Sequence, residues 1–252
     1  MPCDRGEAIA LAEHGRTEVL WGDRHTVLGK VGTASLEPRA ALAISRGQEA
    51  KRYPYVDPNE DAVLAAAGPA GWLLAVADGH NGFDAARAAL GAVAREAGPL
   101  LERDGLDPAA AVHELFGAAR KAVVAALAGA GRSRQASRTA LSIALVAGGQ
   151  VYGASLGDTV ALRLGPEFEE VGAEGPFLGP GSPLPRVYWA PFDEGDRLLV
   201  ASDGLMDYLG PDWEERLRQA AAATDLVAAA RQLVLDAFSG GAGDNVAVGL
   251  LA

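Results

Sequence analysis

The order in which apolar segments change their period constrains this chain more than any other feature. Over residues 40–78 the segments ALAIS, DAVLAAA and WLLAVAD are short, apolar and parted by Gly, Pro and Asn clusters, which predicts strands. Helical spacing follows. Residues 83–101 put Ala86, Leu90, Val93, Ala94, Ala97 and Leu101 on one stripe. Asp107 and Pro108 then read as N-cap and first helical residue of a second helix, with Val112, Leu115, Phe116, Ala119, Val123 and Leu127 on its stripe and an end near Gly129. Strands return as TALSIALV, VYGASL, TVALRL and RLLVAS; a helix pair is predicted over 211–222 and 224–238, stopped by Gly240 and Gly241; NVAVGLLA reads as a terminal strand. Strands in runs and helices in pairs specify a layered α+β domain rather than a doubly wound parallel sheet. No internal repeat or low-complexity linker divides it. Residues 1–35 stand apart as an N-terminal extension whose role the sequence leaves open, in which TEVLW and TVLGKV are expected to pair as a hairpin.

Composition excludes several function classes. The chain of 252 residues carries a single cysteine, Cys3, so no intramolecular disulfide and no cysteine metal cluster can form, and a reducing cytoplasm is the expected location. No apolar run reaches about 18 residues, and the first residues are too acidic for a signal peptide, so no membrane association is expected. A net charge of −11 argues against nucleic acid as a partner, because affinity for its backbone needs clustered Lys and Arg. A monomer is expected.

Most of the 33 acidic residues read as a solvated surface. Seven do not, because they fall at the ends of predicted core strands. Asp78 ends WLLAVAD, Asp158 follows VYGASLG, Asp203 follows RLLVAS with Asp207 four residues on, Asp244 opens the last strand, and Glu60 and Asp61 lead into DAVLAAA. Taken singly, each suits a turn. If packing brings the strand ends together, carboxylates about 4 Å apart repel by a few kcal/mol, and such a cluster calls for cations. Hard oxygen donors with no His or Cys among them select Mg²⁺ or Mn²⁺ over zinc.

Five segments carry a family resemblance: NEDAV at 59–63, VADGH at 76–80, GD at 157–158, ASDGLMD at 201–207 and DNVAV at 244–248. In this order they resemble the motifs of the metal-dependent protein phosphatases, the type 2C serine/threonine phosphatases, over residues 40–252. The resemblance implies a four-layer sandwich of two antiparallel β-sheets flanked by pairs of antiparallel helices, with the catalytic domain over 36–252. It implies hydrolysis of phosphoserine and phosphothreonine in proteins by a hydroxide shared between two Mn²⁺ or Mg²⁺ ions, with room for a third. Asp78 would bridge the two metals, Asp203 and Asp244 would complete the first site, and Glu60 with the Gly79 carbonyl would serve the second. Asp158, Asp203 and Asp207 match the ligands of a third, looser metal. Asp61 and Asn245 would support the ligands from behind, and His80 matches the histidine proposed to protonate the leaving oxygen. The partner implied is a phosphorylated protein.

Three departures qualify the match. The family places an Arg four residues before the Glu of NEDAV to grip the phosphate; here that residue is Val56, and Arg52 is the preferred substitute over Lys51 and Arg46. The stretch between Asp158 and Asp203 is short, and FEEVGAEGPFLGPGSP suggests a reduced segment beside the cleft. Asn81 stands where the family commonly has Gly. These departures motivate two alternatives, a non-catalytic phosphoprotein-binding module of the same fold and a small-phosphoester hydrolase. A cysteine phosphatase is excluded, since Cys3 has no Arg six residues later. GDRH at 22–25 reads as a turn, the arginines of GRSRQASR as a solvated loop, and the four tryptophans as packing residues.

Overall fold

The structure, a computed structural model, describes residues 16–51 and 55–252. Two six-stranded sheets face each other. The first has the order β1 (Arg16–Trp21), β4 (Ala62–Gly68), β5 (Gly71–His80), β6 (Arg138–Ala147), β7 (Gln150–Leu156), β10 (Tyr188–Pro191). The second runs β2 (Val31–Leu36), β3 (Ala40–Ser45), β12 (Val246–Leu251), β11 (Arg197–Ala201), β8 (Val160–Leu164), β9 (Phe168–Glu170). Every pairing is antiparallel. Helices α1 (Asp84–Leu101) and α2 (Pro108–Ala128) cover the first sheet; α3 (Asp203–Met206), α4 (Trp213–Ala222) and α5 (Leu226–Ser239) cover the second. The expected four-layer α+β sandwich is the observed architecture.

Burial on both faces explains why the core strands read as continuous apolar runs rather than as alternating ones. In β4, Ala62, Leu64 and Ala66 face the α1–α2 layer, while Val63, Ala65 and Ala67 face the opposite sheet. In β12, Val246, Val248 and Leu250 face the α3–α5 layer and Ala247 and Leu251 face the first sheet. The two predicted helical stripes on α1 and α2 are buried at every position. Asp107 caps α2 by accepting hydrogen bonds from the amides of Ala109 (3.0 Å) and Ala110 (3.1 Å). Asp225 caps α5 in the same way, from the amide of Ala228 at 2.9 Å.

The expected hairpin within the N-terminal extension does not form. TEVLW is β1 and pairs with β4, whereas the chain beyond GDRH enters the other sheet as β2 beside β3. Each segment closes an open sheet edge, which offers a backbone ladder to a strand already buried, where a two-stranded ribbon would have little core to join. GDRH is a 3-10 turn between them. Cys3 and His14 lie outside the described residues. Among the described residues no helix is long and apolar enough to cross a membrane.

Antiparallel register decides where the acidic strand ends meet. The start of β4 lies beside the end of β5, with Ala62 opposite Ala77, and the end of β11 lies beside the start of β12, with Ala201 opposite Val248. The end of β7 runs alongside β6 with Leu156 opposite Leu141, close to Ala140 opposite Asp78. Segments remote in sequence therefore deliver their carboxylates to one end of the sandwich.

Candidate metal centre

Glu60, Asp78, Gly79, His80, Asp203 and Asp244 line one cleft of ≈ 140 Å³, together with Lys51, Tyr55, Val56 and Asn81. Donor atoms of Asp78, His80 and Asp158 lie within 4.8 Å of one another. Asp207, one turn beyond Asp203, donates its amide to the Asp203 carbonyl at 2.9 Å. The seven acids singled out by sequence thus come from both sheets to one end of the fold. Arg52, the expected phosphate-gripping residue, lies outside the described residues.

Hydrogen bonds between the sheets hold the arrangement. Asn245 accepts from the Glu60 amide at 2.9 Å and donates to the carbonyls of Arg46 (3.2 Å) and Pro58 (3.1 Å), so the start of β12 fastens the loop before β4. Ser202, at the end of β11, donates to Asp61 Oδ2 at 2.7 Å and accepts from the Ala247 amide at 2.9 Å. Removing this hydroxyl strips a partner from two buried groups. Ser202→Ala is expected to lose about 1–3 kcal/mol in equilibrium denaturation, and a change of only a few tenths would show that the bridge contributes little.

Glu60 Oε1 accepts from the amides of Asp57 (3.0 Å) and Gly82 (2.9 Å). Asp57 is in turn gripped by Arg134, which also reaches Asp84 Oδ2 at 2.9 Å. The reading of Arg134 as part of a solvated loop is corrected by these contacts: the turn after α2 folds back over the start of α1, a juxtaposition no local pattern reveals. Asn81 has φ +60°, the left-handed region that Asn and Gly tolerate, which accounts for its place where the family commonly has Gly. At Gly79 a Cβ would sit 2.6 Å from the Glu60 carbonyl, so this position needs the close backbone approach that glycine permits.

The electrostatics are those of a cluster short of positive charge. Burial, and then the charges of Asp61 and Asp203, hold Asp78 well above the usual carboxylate range. Burial pushes Asp61 up to about 8, against the opposing pull of Lys51 and Ser202. Asp203 is raised to about 6 by burial and by Asp244, and Asp207 is raised by burial, Asp244 and Asp158. Buried oxygens Asp61 Oδ1 and Asp158 Oδ1 have no hydrogen-bond partner. Carboxylates gathered in this way, with orphaned buried oxygens, fit a hard divalent cation.

His80 sits at the edge, its side chain 34% exposed and Nδ1 3.8 Å from Asp78 Oδ1, beyond hydrogen-bond reach. The ring of Phe177 stacks on it with centroids 4.2 Å apart and planes tilted by 36°. Phe177 comes from the short segment between β9 and β10, and its sequence context gives it no role; an aromatic residue in a Gly/Pro-rich stretch is the only local signal.

The protein-family profile described as Protein phosphatase 2C matches residues 56–236. Among solved structures, the PPM Ser-Thr phosphatase MsPP from Mycobacterium smegmatis, in complex with cacodylate, is 27% identical with a TM-score of 0.65, covering 84% of this chain and 97% of that one. The Mycobacterium tuberculosis serine/threonine phosphatase PstP/Ppp is 23% identical with a TM-score of 0.66, covering 84% and 98%. A structure of the catalytic domain of PstP in complex with two manganese ions is 22% identical with a TM-score of 0.68, covering 88% and 98%. No curated protein sequence matches.

Proposed function

The chain belongs to the protein phosphatase 2C family, and from that premise we propose that its acidic cleft binds Mn²⁺ or Mg²⁺ and hydrolyses phosphoserine and phosphothreonine esters in proteins. The observation that carries this reading is the convergence of Glu60, Asp78, Asp203 and Asp244 in one cleft, with Asp158 beside Asp78. A set so dominated by carboxylates suits the hard cations that phosphoryl transfer employs.

In this reading Asp78, Asp203 and Asp244 would hold one cation, and Asp78, Glu60 and the Gly79 carbonyl a second. Asp158, Asp203 and Asp207 are the proposed ligands of a third. When bound, such cations would supply a water nucleophile at neutral pH and neutralise charge on the phosphoryl group. The chain's own residues do the rest. Asn245 and Ser202 keep Glu60 and Asp61 in register across the two sheets. His80, at the cleft edge with Phe177 against one side of its ring, is the proposed proton donor to the leaving serine or threonine oxygen.

The test is hydrolysis of a chromogenic aryl phosphate and of phosphopeptides, with Mn²⁺ and after chelation, by the natural chain and by Asp203→Ala. Metal-dependent turnover that the substitution removes is the expected result. Turnover indifferent to chelation, or an unimpaired variant, would overturn the reading.

A further inference from the structure

Lys51 is the one Lys or Arg among the described residues that line the acidic cleft. Its side chain is 5% exposed, Nζ lies 2.6 Å from Asp244 Oδ1, and the Tyr55 ring stands 6.0 Å from that ammonium. Arg46, from the same part of the chain, is engaged elsewhere: it donates to the Thr26 carbonyl at 3.0 Å and to the Tyr55 hydroxyl at 2.5 Å.

A buried ammonium among carboxylates is a monovalent stand-in for a divalent cation. It supplies charge that the cluster would otherwise lack, and its field opposes the protonation of Asp61 and Asp78. It competes with a divalent cation for the same carboxylate. Metal–oxygen contacts of about 2.0–2.2 Å would bring a divalent cation against an ammonium already at hydrogen-bond distance, and like charges so close repel strongly. Lysine suits a group that must yield, because its compact charge rides on a flexible four-carbon stem. A phosphoryl group entering the same cleft brings the negative charge that a displaced ammonium needs.

Building on the phosphatase reading, we propose that Lys51 alternates between two partners. In the metal-free chain its ammonium is the counter-ion of Asp244; when a divalent cation takes that carboxylate, the ammonium turns into the cleft and binds phosphoryl oxygens of the substrate. Val56 then does not leave the cleft without a phosphate-binding side chain.

The test compares the natural chain with Lys51→Met by calorimetric titration, first with Mn²⁺ alone and then with inorganic phosphate added to the Mn²⁺-loaded proteins. Lys51→Met is expected to bind Mn²⁺ about tenfold tighter and phosphate about tenfold more weakly, each tenfold step being a modest change in binding free energy. Unchanged or weaker Mn²⁺ binding overturns the proposal, and so does unchanged phosphate binding. Lys51→Arg keeps the charge should the methionine variant fail to fold. It is expected to bind Mn²⁺ no tighter than the natural chain, and tighter binding also overturns the proposal. Failure of the phosphatase reading would look different: the natural chain would show no Mn²⁺-dependent turnover, whatever the titrations gave.

Discussion

Asp78→Asn is expected to move stability and activity in opposite directions. Asp78 is buried at the end of β5, where burial and the neighbouring charges of Asp61 and Asp203 disfavour its ionised form. An amide of the same shape removes one negative charge from a cluster that repels itself, so the metal-free variant should melt above the metal-free natural chain. A chain of this size gains about 2–4 °C for each kcal/mol. The same change takes away the carboxylate proposed to serve both metal positions. Loss of several kcal/mol of charge stabilisation corresponds to a fall in Mn²⁺-dependent aryl phosphate turnover of about 10³-fold. Calorimetry of the metal-free proteins and steady-state kinetics check the two halves. A variant less stable than the natural chain without metal would contradict the electrostatic account, and one retaining a tenth of the turnover would contradict the role of Asp78.

Metal addition should stabilise the protein, and by more as the pH rises. Asp61 titrates at about 8 and Asp203 at about 6 in the folded chain, and Asp78 and Asp207 are also raised, whereas carboxyls of an unfolded chain titrate near about 4. Between about pH 4 and pH 8 the folded metal-free chain therefore holds more protons than the unfolded one, and its stability falls as pH rises through that window. Below it both states are protonated and the repulsion is absent; above it the penalty from Asp61 and Asp203 is complete. Divalent cations bind the deprotonated carboxylates and release those protons. At a free Mn²⁺ concentration 100 times its dissociation constant the gain is about 2.7 kcal/mol, or a shift in Tm of about 5–11 °C. Melting curves from pH 5.5 to 8.5 with Mn²⁺ or with a chelator test this. The two sets of midpoints should diverge as pH rises, and a Mn²⁺-induced shift that is the same at every pH would refute the coupling.

Much of the fold is legible along the chain. Burial on both faces leaves β4, β5 and β12 with unbroken apolar runs, and a one-faced helix leaves a stripe, so these elements write their environment into local pattern. The misreadings lie where partners are distant. Nothing local to β1 indicates that its ladder partner is β4, and the short strands β9 and β10 hold too few residues for a period to emerge. The contacts of Phe177 and Arg134 are not legible locally for the same reason, since their partners His80, Asp57 and Asp84 lie far away in sequence.

The acidic residues mark the division most clearly. Sequence alone determined which carboxylates fall at or just beyond strand ends, because most lie within two residues of an apolar run long enough to be a core strand, and their motif order carried the family resemblance. Tertiary structure decided that Glu60, Asp78, Asp203 and Asp244 share a cleft, and that Lys51, among the described residues, is the Lys or Arg that lines it. Distances between side chains from different sheets depend on register and on sheet packing, which the chain fixes only when all its strands have paired.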